Sequence, residues 1–280
     1  MSLLEIDPLK NIIKLTLQTG YLKHTEKPVN LLLIAKPESG KTAAMNLFKI
    51  KGTYTTNNIT QSIIVSKIFP MIENEGLKHL IIPDILNAIQ KDRTTRLGFL
   101  NLIKSLMEEG ITSLDTFNIR TNKVYDPPIK CGLITAITSD NFNGYYDPQR
   151  QQYRSGAKEI WKSTGLLSRF IPFSYQYEIS KISKIFGFIE KEEEQKSTGK
   201  EKIKRTMVNV KGNAELFEKL RTASLPLGVE MGAYGFRLQR SLQCLAKANA
   251  VLNNRAKVAQ EDIEAVLRLT NWMNYRYNPL

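Results

Sequence analysis

Three consecutive residues, Gly40-Lys41-Thr42, carry the strongest chemical signal in this chain. They close the stretch "LLLIAKPESGKTAAM", residues 31 to 45, where an apolar run predicts a strand and the residues from Thr42 to Phe48 predict a helix. A glycine that permits close backbone approach, an ammonium group and a hydroxyl, placed between strand and helix, are the parts of a phosphate-binding loop of the form G-x-x-x-x-G-K-[ST]. In such a loop backbone N–H groups curl around phosphate and the helix points its positive end at the anion, while Lys and Thr reach phosphate and Mg2+. The loop departs from this form at its first position, where Ala35 stands in place of glycine. A methyl group is accepted there if the local φ is negative. A chance Gly-Lys-Thr after an apolar strand is the alternative, and the strand and helix on either side argue against it. Ala35, Lys36, Pro37, Glu38, Ser39, Gly40, Lys41, Thr42 and Ala43 are therefore the candidate residues for binding ATP with Mg2+.

A site of this kind needs a carboxylate at the end of a neighbouring strand to hold the metal. The run "HLIIPDIL" supplies Asp84, with the Thr42 hydroxyl as the second metal ligand. Pro-Asp is itself a turn signal, so the same residues also read as a buried strand that simply ends.

Alternating elements must position these groups. Residues 7 to 20 place Leu9, Ile12, Ile13, Leu15 and Leu17 near one side of a helix ending at Gly20, followed by the strand "VNLLLIA" and the loop. Further on come "GTYTT", a helix around 60 to 75, the strand "HLIIPD" and a helix from about 94 to 109. The strands "GLITAIT" and "FIPFSYQY" complete the series, and the alternation predicts an α/β fold with a parallel sheet between helices. Residues 113 to 131 interrupt it as a hairpin, "TFNIR" and "KVYD" flanking Thr121-Asn122 as the turn. The domain reading is a nucleotide-binding core over 1 to 180, a charged connection over 181 to 211, and a small all-helical unit over 212 to 280 with Leu238, Leu242, Leu245 and Ala246 on one stripe.

Composition narrows the setting. With 40 Lys+Arg against 27 Asp+Glu the chain carries +13, which suits an anionic partner such as nucleic acid, although Lys-rich surfaces are common. Cys131 and Cys244 stand apart, without C-x-x-C spacing, so neither a zinc site nor a disulfide framework is expected. No apolar run is long enough to span a membrane and no signal peptide is recognisable, so no membrane partner and a cytoplasmic location are expected.

The order of these segments resembles an AAA+ P-loop ATPase followed by a helical lid, and is most similar to the ATPase core of the minichromosome-maintenance (MCM) helicase group. "DRTTRLGFLNLIKSLMEEGITS", a hairpin and "CGLITAITSD" resemble the helix, pre-sensor-1 hairpin and sensor-1 strand of that group. "GLLSRFIPFSY" resembles its arginine-finger segment, "RLQRSLQCLAKANA" its sensor-2 helix and "KVAQEDIEAV" the end of its lid. The resemblance spans roughly residues 7 to 275, and only the phosphate loop is specific by itself. It implies that Thr138 sits at sensor 1, that Arg169 is a finger reaching a neighbour's γ-phosphate, and that Arg237, with Arg240 as substitute, is at sensor 2. The bland alternatives are a buried Thr bonded to backbone and a surface Arg at a strand start. The family usually places Glu after the metal-binding Asp as the base that polarises water, whereas this chain has Ile85. Glu there would stand beside attacking water if the strand end faces the γ-phosphate.

What the resemblance implies is an ATPase forming a ring or helical homo-oligomer that acts on nucleic acid, with weak hydrolysis. A nucleotide-dependent scaffold and a protein-remodelling ATPase are the rivals. Any nucleic-acid contact is expected through phosphates, at Arg120 and Lys123 of the hairpin, which otherwise merely solubilise an exposed turn.

Overall fold

The computed structural model describes residues 6–23, 27–116, 121–147, 149, 151–190 and 202–280. Its strands are β1 (Leu31–Ala35), β2 (Thr53–Thr55), β3 (His79–Ile82), β4 (Ile111–Thr116), β5 (Thr121–Ile129), β6 (Gly132–Thr138), β7 (Gly144–Asp147), β8 (Gln152–Ser155), β9 (Ile171–Gln176) and β10 (Asn278–Pro279). Six of them make one parallel sheet in the order β10-β9-β1-β6-β3-β2, with helices on its faces. Every residue of β1 and β3 is buried, which is why both read as continuous apolar runs and not as alternating ones. All five strands expected from the sequence are present in it.

The register fixes what lies at each end. Leu31 pairs with Ile134 and with Ile171, and Ala35 pairs with Thr138, so the phosphate loop, Thr138 and the end of β3 share the carboxyl end of the sheet. The start of β9 lies at the opposite end. There the buried Asn30 clamps two strands, its Nδ2 donating to the Arg169 carbonyl at 3.1 Å and its Oδ1 accepting from the Leu133 N–H at 2.9 Å.

The N-terminal helix Asp7–Thr19 buries the apolar stripe expected of it, and packs against helix Phe236–Leu252. That helix also packs against Ala214–Glu230 and Gln260–Leu269, while β10, within the segment read as all-helical, joins the main sheet. Residues 181 to 190 of the expected charged connection belong to helix Ile179–Glu190, with Lys181 buried; 191–201 lie outside the described residues. After the connection the chain is tied to the core, since Lys204 N–H and carbonyl bond the side chain of Gln18, itself buried in the N-terminal helix.

The hairpin differs from expectation in its turn. Thr116 pairs with Thr121, Asp115 with Asn122 and Leu114 with Lys123, so Thr121 and Asn122 are strand residues and not the turn; 117–120 lie outside the described residues. β-branched Thr favours the extended chain over a turn centre, and an irregularity between Ile111 and Ser113 shifts the register. Two elements had not been expected: the ribbon β7–β8, and β10, which brings the chain's last residues back beside β9. Cys131 is buried, Cys244 half-buried, and neither is in a disulfide. Among the described residues no helix is long and apolar enough to cross a membrane.

Candidate nucleotide-binding site

The loop after β1 has the geometry that its residues suggest. Gly40 lies at φ 80°, the left-handed region, and its carbonyl accepts from Ala44 N–H at 2.8 Å as helix Lys41–Asn46 begins. A side chain at position 40 would be strained by that φ and would crowd the approach of an anion. Glu38 also takes positive φ (59°) and is exposed, so it lies on the solvent side of the loop. Ala35 ends β1 fully buried in extended backbone, where a methyl group is accommodated.

Lys41 folds back over the loop. Its Nζ donates to the carbonyls of Ala35 (2.8 Å) and Lys36 (2.6 Å) and to Ser39 Oγ (3.0 Å). Burial lowers its pKa to about 8, against the opposing pull of the nearby Asp84 carboxylate. The loop is braced from β9, because the Ser39 carbonyl accepts from Tyr175 Oη at 3.0 Å and Tyr177 Oη at 2.6 Å. Neither tyrosine was expected at the site, although both lie in the strand segment "FIPFSYQY".

Asp84 is exposed where β3 ends, and its Oδ1 accepts from Leu86 N–H at 2.9 Å, leaving its other oxygen available to a cation. The Thr42 hydroxyl, exposed at the first turn of the loop helix, is the second oxygen donor. Mg2+ usually keeps several waters and takes one or two protein ligands besides phosphate, so this donor set fits it. The free N–H groups of the first helical turn and the Lys41 ammonium likewise fit a polyphosphate. Thr138 stands on the strand between β1 and β3, its Oγ1 accepting from Asn141 Nδ2 at 2.7 Å. The hydroxyl is thus bonded to a side chain and not to backbone; Asn141 is a polar neighbour that sequence reasoning missed.

Ile85 does not face this group. It is 1 % exposed, and its N–H donates to the Ala136 carbonyl of β6 at 3.1 Å as the chain turns into helix Leu86–Ile89.

Arg169 and Arg237 lie elsewhere. Both pair with Glu108, Arg169 Nε at 3.2 Å and Arg237 Nε at 2.9 Å, and Lys27 Nζ joins them at 2.5 Å. Arg169 Nη1 also donates to the Gly165 carbonyl at 2.6 Å, and Arg237 Nη1 to Ser168 Oγ at 3.3 Å. The cluster gathers at the amino end of β9 and β1, a strand's length from the phosphate loop, roughly 15 Å at about 3.3 Å per residue. Neither arginine reaches the loop of its own chain. Of the hairpin candidates, Arg120 lies outside the described residues, and Lys123 is placed by backbone alone, opposite Leu114.

Burial would raise the Glu108 pKa, but hydrogen bonding and charge from Lys27, and then from Arg237, outweigh this and hold it below its ordinary 4.5. A carboxylate whose folded pKa is depressed adds stability above its unfolded pKa and loses it as pH falls through the folded value. Glu108→Gln is therefore expected to melt below the unmodified protein at neutral pH, with the gap closing as pH falls below about 4.5. A gap independent of pH in melting scans would show that the cluster contributes no charge-dependent stability.

Compared with known proteins, the chain matches no family model and no curated protein sequence.

Proposed function

We propose that the chain is an AAA+ ATPase, resembling the MCM group, that binds ATP with Mg2+ at residues 35 to 43, associates head to tail and acts on nucleic acid. The observation that carries this reading is the division of polar groups between the two ends of one parallel sheet. Lys41, Asp84 and Thr138 stand at the carboxyl end of the sheet, while Arg169 and Arg237 are held at its amino end, away from their own chain's loop, which supports a role toward a second subunit. A guanidinium suits that role because it stays charged and presents its donors as a planar fork. The +13 charge supports an anionic polymer as the substrate.

Lys41→Ala removes a charge-assisted contact, expected to cost about 1.5–3 kcal/mol, roughly ten- to a hundredfold in ATP affinity by calorimetry. The pH dependence is a second check. Lys41 is charged below about 8 and phosphate favours the charged form, so above about 8 binding must take up a proton and affinity should fall. Equal affinity in Lys41→Ala would reject the site. Turnover measured with and without single- and double-stranded DNA tests the substrate.

A second reading rests on Ile85. With an apolar buried side chain where the family places its base, ATP binding would serve assembly and hydrolysis would be slow, well below ~1 s⁻¹. Tight binding with no DNA-stimulated turnover would favour this switch over the motor.

A further inference from the structure

The ribbon β7–β8 presents a pair of aromatic rings to solvent, one of them set by a hydrogen bond from Tyr153 Oη to the Asn143 carbonyl at 3.0 Å. Tyr146 and Tyr153 are directly opposed across the two strands, so both project from one face, and they are 59 % and 61 % exposed. The other face is anchored: Tyr145 opposes Arg154, Arg154 Nε pairs with Asp147 at 3.3 Å, and Tyr145 and Arg154 line a cleft of about 340 Å³ with Asn141 and Trp161. That face is only partly covered, Tyr145 and Arg154 remaining exposed, while the tyrosine face is the more open of the two, with Tyr153 Oη bonded to the Asn143 carbonyl and both rings turned to solvent.

We propose that this face is a stacking platform for single-stranded nucleic acid, Tyr146 and Tyr153 receiving the faces of one or two bases. The inference rests on the nucleic-acid reading given above and adds a place for the strand. Aromatic side chains stack on any base, so binding is tolerant of sequence. The acid on the ribbon, Asp147, lies on the opposite face with its charge met by Arg154, and the chain as a whole is strongly positive, so a polyanion is not repelled. The platform also adjoins the nucleotide site. Thr138, the last residue of β6, accepts from Asn141 in the short helix Ser139–Asn143, which runs directly into β7, and Asn143 Nδ2 donates to Tyr277 Oη at 2.5 Å. At the base of the ribbon Gly144 and Gly156 pack so closely that an added Cβ would lie 2.6 Å from the Arg154 carbonyl oxygen and 2.2 Å from that of Phe142. The ribbon is thereby joined tightly to the segment that carries Thr138.

The test is fluorescence anisotropy of a labelled oligothymidylate with the full chain, its doubly substituted Tyr146→Ala/Tyr153→Ala form and the Tyr146→Phe/Tyr153→Phe form. Alanine should weaken binding at least tenfold, while phenylalanine, which keeps the ring, should stay within about twofold of the original. ATP affinity should be the same in all three. An oligonucleotide carrying 5-iodouracil, irradiated with the unmodified protein, should crosslink to Tyr146 or Tyr153, which decides the matter even if the alanine form folds poorly. Undiminished affinity in the alanine form, or crosslinks only elsewhere, overturns the platform while leaving the nucleic-acid reading in place. An unmodified protein that binds ATP but no oligothymidylate, oligouridylate or duplex overturns both.

Discussion

Ile85→Glu is expected to destabilise the protein by about 3–5 kcal/mol and not to supply a catalytic base. Position 85 is 1 % exposed and its backbone is bonded to β6, so a new carboxyl group there enters the core. The change forfeits roughly 1.5–3 kcal/mol of apolar burial and adds the cost of a polar group without a partner. The group would escape ionisation by holding its proton, so its folded pKa would lie above its unfolded one. The folded state then binds more protons, and the penalty should grow as pH rises from about 4 toward neutrality. Urea denaturation at pH 5 and pH 8 reads both quantities. A variant as stable as the parent with faster ATP turnover would show that the end of β3 reorients toward the nucleotide.

Arg169→Ala is expected to leave nucleotide binding intact and to lower turnover by about 10³-fold or more, in line with arginine fingers in general. Arg169 is 15 % exposed, tied to Glu108 and the Gly165 carbonyl, so its side chain is already held in place at the amino end of β9. Removing it still leaves Glu108 paired with Lys27 and Arg237, and the fold should survive. If the residue acts between subunits, turnover per chain of the parent rises with protein concentration, and that rise disappears in the variant. Undiminished turnover in a strictly monomeric variant is incompatible with the role. The expected loss refers to the parent's own rate, whatever its size.

Much of the frame was legible because it is local. Buried parallel strands such as "LLLIA" and "HLII" carry their own apolar signature, and Gly40-Lys41-Thr42 is a contiguous device whose context lies within fifteen residues. The ends of elements were harder. Nothing in "IIPDIL" says whether Ile85 faces nucleotide or core, because the chain stops being a strand there and its two-residue alternation lapses. Glu108 was invisible for another reason: its three cations come from the lead into β1, the approach to β9 and the start of helix Phe236–Leu252, and no pattern along the chain joins them. The ribbon had a signal that went unread, Asn143-Gly144 and Asp147-Pro148 bracketing two tyrosines, both dipeptides typical of turns.

The bracing of the loop by β9 has a consequence for an assembly. At one end of this strand Tyr175, with Tyr177 just beyond, grips the carbonyl of Ser39; just before its other end stands Arg169. One segment, a helical turn leading into an extended strand, thus runs between Arg169 and the residues that grip the phosphate loop. In a head-to-tail assembly, a displacement of the loop on nucleotide binding would be passed along that segment to the adjacent site. By linkage, contact of the arginine with the neighbour's phosphate would act back on the loop with the same free energy. Successive sites would then be coupled in series, and nucleotide affinities around the assembly would be unequal even though every chain is identical.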